Sequence, residues 1–417
     1  MISGKANGWR KIGLCLALLV GTSGCASGWQ PMPIDEVAFL DRAVTHEMDS
    51  IRVTAAVPSA RESRAIFGAD TYRRGVQPVW IEIENSSAAP VAFLPFGLDA
   101  EYFTPLESAS MHNEKSQQGE MERYFFSSGV NPNIAPGQIR SGFVFTHVDE
   151  GTKAFNIDLI GDEFTWQHTF FIQVPGLKVD HYNVDFDGMF SEDEILAVDD
   201  QELIEAFRSM PCCTANAKDT NSGDPLNIAV IGDPREVYYA FVRAGWDETE
   251  IVKASSGFKT AISFITGGEY RYSPVSSLYV FGRPQDVAFQ KARDNIHERN
   301  HLRLWMTNYK YEGRTVWIGQ ISRDIGVRFT PKTITTHKVD PNVDETREYL
   351  VENLAYNQAL AKFAYVSGAV PAPIDAPRQN LTGDGYFTDG LRVVLWITAE
   401  PVPIDEIEAV DWPDKPQ

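Results

Sequence analysis

The sequence predicts two domains, an all-β sandwich followed by a mixed α/β domain, and three observations predict it. Between residues 48 and 176 short alternating apolar runs are separated by turn signals, with little helical periodicity. From residue 195 onward capped amphipathic helices alternate with strands. The 417 residues are also long enough for two or three domains of roughly 100–200 residues each.

In the first domain Val79–Glu84 alternates and runs into the turn-forming Asn85-Ser86-Ser87, after which Pro90–Leu94 resumes. Pro136-Gly137 marks a turn before Gly142–Phe145. Phe155–Ile160 and Phe170–Val174 complete the set, the last stopped by Pro175-Gly176. The arrangement reads as an immunoglobulin-like sandwich. The polar stretch Leu106–Glu122 reads as a long loop, and residues 177–194 as an acidic connector.

The second domain, 195–398, opens with a helix. Asp199 and Glu202 form a capping box, Leu203, Ile204, Phe207 and Met210 share one face, and Pro211 stops the run. Leu226–Ile231 is a buried strand. Asp233, Pro234 and Glu236 start a second helix, which Gly245 ends. Strands follow at Ser277–Phe281, His301–Thr307 and Thr315–Ser322, the last two joined around Glu312-Gly313. Thr333–Val339 is another strand. Asp340-Pro341 opens a long helix with Val343, Leu350, Val351, Leu354 and Ala361 on one face. Leu391–Ile397 is the terminal strand, and the acidic, proline-rich 399–417 reads as a loose tail.

Several segments of this half resemble the LssY C-terminal domain family. They are Pro211-Cys212-Cys213-Thr214, Gly223–Asn227, Leu278–Asp286, Glu298–Trp305 and Tyr386–Gly390. The resemblance spans about residues 195–398. It implies a mixed-sheet α/β domain and a link to type I secretion, and it brings no catalytic residues with it. Some relatives fuse this domain to membrane-embedded phosphatase-like segments, which have no counterpart in this sequence.

The first 24 residues read as a signal peptide. Lys5, Arg10 and Lys11 form a basic head and Ile12–Val20 an apolar run, shorter than the about 20 residues that span a bilayer. The exit Thr22-Ser23-Gly24-Cys25 resembles a bacterial lipoprotein signal, although Thr22 stands where such signals usually carry Leu. Cys25 is then the acylated first mature residue, a site for palmitate, and the chain is lipid-anchored in the cell envelope, periplasm-facing, at the outer membrane rather than the inner. Secretion with cleavage near Ala26 is the alternative. A formal charge of −20 argues against nucleic acid and anionic lipid as partners, so membrane contact is expected through the lipid.

Cys212 and Cys213 are neighbours, with Cα atoms about 3.8 Å apart against a usual disulfide range of about 4.4–6.8 Å. Two thiols, a vicinal disulfide, and contact with a partner or metal all remain open. His297, Arg299, His301, Arg303 and His337 form the candidate anion-binding face, with imidazoles and guanidiniums suited to phosphate or carboxylate. With Asp340 or Asp389 the histidines could instead hold a metal. The bland alternative is a polar strand face of Arg–carboxylate pairs.

Asn183-x-Asp185-x-Asp187-Gly188-x₅-Glu194 nearly matches a calcium loop, but no helix enters it and Ser191 with Glu194 fits a capping box. Val230–Pro234 has one glycine and an anionic cap, which excludes a phosphate loop. No hydrolase, zinc-protease or nucleotide fingerprint appears, and no motif names a cofactor. The functional expectation is a tethered binding or scaffolding module with an envelope protein partner. The alternative is a hydrolase acting on phosphorylated or lipid-derived substrates through the His/Arg face.

Overall fold

The computed structural model describes residues 29–112, 117–149, 151–162, 165–176, 184–249, 277–292, 299–328 and 336–416. Two four-stranded sheets form the N-terminal domain. One runs β1 (Val44–Met48), β2 (Ile51–Ala56), β3 (Val76–Asn85), β6 (Gln138–His147); the other runs β5 (Asn133–Ile134), β4 (Val91–Leu94), β7 (Thr152–Ile160), β8 (Thr165–Gln173). Alternation decides the faces. Val79, Ile81 and Ile83 of β3 meet Phe155, Ile157 and Leu159 of β7 between the sheets.

The other face of the first sheet is not solvated. Trp80, Phe143 and Phe145 pack there with Phe67 of α1 (Ala60–Phe67) and with Met121 and Phe125. The last two belong to α3 (Gln118–Ser128), which follows α2 (Pro105–Ser110). The loop expected over 106–122 is therefore largely helical. A Thr104–Glu107 capping box starts α2, and burial of Met121 and Phe125 holds α3 against the sheet.

The C-terminal domain is built on one large sheet. Its main path is β13 (Asp247–Glu248), β16 (Val287–Ala292), β17 (Arg299–Tyr311), β18 (Arg314–Arg328), β12 (Ile228–Ile231), β23 (Leu391–Ile397), β20 (Leu360–Ser367), β24 (Glu408–Ala409). β9 (Leu196–Val198) joins β17, and β19 (Thr336–Val339) joins β18. Glu312 and Gly313 both take positive φ, 50° and 78°, the turn that matches the twist of a tight hairpin. A smaller sheet carries β10 (Cys213–Ala215), β11 (Ser222–Pro225), β14 (Tyr279–Val280) and β15 (Arg283–Pro284); β21 (Arg378–Gln379) and β22 (Gly385–Tyr386) form a short ribbon.

Helices cover both faces of the large sheet. α5 (Pro234–Arg243) and α6 (Val343–Tyr356) bury Val237, Phe241, Leu350 and Leu354 against Leu302, Leu304 and Trp317. α4 (Asp200–Ser209) buries Leu203 and Phe207, with Met210, against Trp305, Ile318 and Trp396 on the other. Ala361, expected on the long helix, lies in β20 instead. α6 ends at Tyr356, Gln358 turns with φ 58°, and the chain re-enters the sheet.

The tail expected to be loose is docked, and the acidic connector also packs on the sheet. In the tail, β24 pairs with β20, Trp412 packs on Trp396 at 5.5 Å, and Asp414 accepts from Arg208 and from the Ser367 N–H and hydroxyl. Buried Trp412 overrides the acidic composition. In the connector, Phe186 lies 5.6 Å from Trp317, ring to ring.

The two domains meet along α5. Phe171 stacks on Tyr239 at 3.9 Å, Tyr238 bonds Thr152, and the Thr152 N–H donates to buried Glu248 at 2.8 Å. Burial, opposed by the bonds from Tyr238 and Thr152, pushes the Glu248 carboxyl up to about 7. A raised carboxyl means the folded state holds the proton more tightly, so this group favours folding below pH 4.5 and progressively less up to pH 7. Glu248→Gln is expected to be more stable than the parent at pH 8, on the order of 2–3 kcal/mol, and no more stable at pH 4. Urea unfolding at the two pH values measures this, and an equal difference at both would contradict the assignment.

Candidate functional site

β17 presents its odd residues to one side of the sheet, and β18 and β16 bring their even residues to the same side. The register sets His301 opposite Ser322 and Gln290, and Arg303 opposite Gln320 and Ala288. The structure therefore gathers Arg299, His301 and Arg303 on one face. They are 4%, 6% and 7% exposed, too deep for a ligand resting on the surface.

Each makes a polar contact inside the protein. His301 Nε2 lies 2.6 Å from Asp324 Oδ2, Arg299 donates to Gln290 Oε1 at 2.6 Å and sits 3.7 Å from Asp324, and Arg303 donates to Gln320 Oε1 at 2.8 Å. Asp224 on β11 accepts from Asn380 at 3.0 Å and is an electrostatic neighbour of Arg303. Burial pushes His301 down to about 4, with Asp324 pulling the other way, so the imidazole is neutral near pH 7. An ionised carboxylate only accepts, so the neutral ring carries its proton on Nε2. Burial lowers Arg303 to about 10 and also lowers Arg299, the neighbouring carboxyls opposing it, and burial raises Asp224. Two guanidiniums thus face two carboxyl groups inside the ladder.

The other sequence candidates are dispersed or fall elsewhere. His297 lies outside the described residues. His337 stands on β19, opposite Val327 in register, and its imidazole also lies outside them. Cys25 and Asn183 are likewise outside. Glu194 accepts from the Ser191 N–H and hydroxyl at 2.9 and 2.8 Å, while Asp185 accepts from the Gly188 N–H at 3.0 Å. Each carboxylate thus serves its own turn. Among the described residues no group of three His, Cys, Asp or Glu is placed to hold a metal ion. Cys212 and Cys213 are joined as a disulfide.

Several resemblance-bearing residues act as internal bolts. Asp286 accepts from the Met306 N–H at 2.7 Å and from Arg283, fastening the β14–β15 hairpin to β17. Asn227 donates to the carbonyls of Ile321 and Val343 and accepts from the Ile321 N–H. Asp389 makes a two-pronged pair with fully buried Arg347 at 2.8 and 3.0 Å.

One concavity was not foreseen from sequence. Clefts of about 630 and 590 Å³ adjoin at Asp233 and Arg235, around the start of α5. The first is walled by Phe186, Phe190, Tyr309 and Lys310, the second by His46, His168, Tyr239 and Glu400. The two imidazoles lie 3.7 Å apart, centroid to centroid, and burial lowers both pKa values. Arg235 lies over the Tyr239 ring. No local motif joins residues 46, 168, 235 and 400. The only sequence signal nearby was the helix start at Asp233-Pro234.

His301 fixes a pH dependence. Its folded value is depressed, so its contribution to stability is complete above pH 6.5 and is lost between 6.5 and about 4, as the unfolded chain takes up the proton. The size is on the order of 3 kcal/mol. Chemical denaturation at pH 7.5 and 4.5 is expected to show this slope in the parent chain and a flattened one in His301→Gln. An unchanged slope in the variant would remove His301 as its source.

No curated protein matches the chain. Residues 206–391, from within α4 to the first residue of β23, match a family model described as LssY C-terminus.

Proposed function

We propose that the chain is a lipid-anchored protein of the bacterial cell envelope that binds a partner rather than turning over a substrate. Its binding surface is the groove around α5, where the sandwich and the LssY-type domain meet. The observation that carries this reading is the ladder's closure. Arg299, His301 and Arg303 are buried and answered by Asp224 and Asp324, so the groups a hydrolase would use are engaged in holding the sheet. The groove, by contrast, is open; the N-terminal domain contributes imidazoles and Phe171 to it, and the C-terminal domain aromatic and charged groups.

On this reading the N-terminal domain is an immunoglobulin-like module that supplies one wall, and Cys25 carries the acyl anchor. The family resemblance adds a role beside secretion, and the partner is an envelope protein at the periplasmic side of the outer membrane.

Two variants test it. Cys25→Ser is expected to lose acyl labelling and to move to the soluble fraction, since a buried acyl chain contributes about 0.8 kcal/mol per CH₂. Arg235 is exposed, so Arg235→Glu is expected to fold normally and to lose proteins that co-purify with the parent from its own envelope. Membrane retention of the first variant would overturn the anchor, and unchanged co-purification by the second would overturn the groove.

A further inference from the structure

The Cys212–Cys213 disulfide joins sequence neighbours whose Cα atoms are 3.7 Å apart. We infer that it is a redox-active site, a two-electron couple that exchanges with dithiol reductants and is entered at Cys212. The two sulfurs are not equivalent. Cys213 begins β10, opposite Pro225 in register, and is 8% exposed, whereas Cys212 precedes the strand and is half-buried. An incoming thiolate therefore reaches Cys212 first. Departure from the usual Cα separation of about 4.4–6.8 Å makes a disulfide easier to reduce. Here sequence adjacency imposes that departure.

The step balances within the pair and the reductant. A thiolate of the dithiol attacks the Cys212 Sγ, the S–S bond breaks, and Cys213 leaves as a thiolate that takes up a proton. The second thiol, losing its proton, then attacks the mixed disulfide and releases Cys212, which is protonated in turn. Two electrons and two protons pass to the pair, and the dithiol departs as its own disulfide.

The position of the bond gives the exchange a consequence. Upstream, the carbonyls of Met210 and Pro211 accept from Arg392. The Cys212 carbonyl accepts from the Leu226 N–H at 2.9 Å. Downstream, the Thr214 hydroxyl donates to the Asp224 carbonyl at 3.2 Å, and the Asp224 side chain is bound to Asn380 beside Arg303. The disulfide ring thus stiffens the short segment between the Arg392 contacts and the buried ladder. Opening it frees the 212–213 peptide and loosens the bond to Leu226 first.

The folded full-length chain is equilibrated in buffers of reduced and oxidised dithiothreitol, quenched with an alkylating mass tag, and read at the peptide carrying both cysteines. Two tags are expected to appear together, with near-UV circular dichroism retained, and amide exchange at Leu226 is expected to accelerate. In single variants, the remaining thiol of Cys213→Ser is expected to react about ten-fold faster than that of Cys212→Ser, following exposure. Tagging only after denaturation, or equal rates in the two variants, would overturn the site. Reduction that leaves Leu226 exchange unchanged would overturn its coupling to the fold.

Discussion

Arg392 is the constraint on which the C-terminal domain depends. It is the second residue of β23, fully buried, and its guanidinium is held by main-chain oxygens of Phe207, Met210, Pro211, Leu226 and Gly368. Burial alone lowers it to about 10, so it remains a cation at neutral pH. Carbonyls of Phe207 and Met210 belong to the closing turn of α4, where orphan acceptors and the negative end of the helix dipole collect. One side chain therefore satisfies that helix end, the cysteine segment, the entry to β12 and the bend after β20. Gly368 follows from the same contact, since a Cβ there would stand 2.7 Å from the Arg392 guanidinium carbon.

The same logic runs through the rest of the sheet. A parallel pair, β12 beside β23, lies between antiparallel neighbours, and both faces are covered by helices. Polar residues on such a sheet must find partners inside the protein, because an unpaired buried group is destabilising by about 1–3 kcal/mol. Arg299 and Arg303 solve this with glutamine side-chain amides, Arg347 with a carboxylate pair and Arg392 with main-chain carbonyls. The outcome is a domain whose charged motifs mostly face inward. The open clefts lie instead where the domain meets its neighbour.

That meeting place is built from half-buried aromatics. Phe171 and Tyr239 stack across it, while Tyr238 and Glu248 bond Thr152. Because α5 supplies the C-terminal side of this contact, the groove beside it inherits the rigidity of a helix packed on the sheet. Residues on rigid elements are positioned more sharply than residues on loops.

Local signals were legible in the sequence alone. The capping pair Asp199 and Glu202, the helix start at Asp233-Pro234, the Glu312-Gly313 turn and the strand Leu391–Ile397 all depend on residues within a few positions of one another. Alternation along β17 was equally readable, and it correctly separated His301 and Arg303 from Leu302 and Leu304. Tertiary structure alone decided what those faces meet. Asp224 and Asp324 answer the arginines from other strands, Trp412 ties down an acidic tail, and Met121 and Phe125 turn a polar stretch into a helix. The reason is physical: period, caps and turn dihedrals are set by neighbours in the chain, whereas charge pairing and burial are set by neighbours in space.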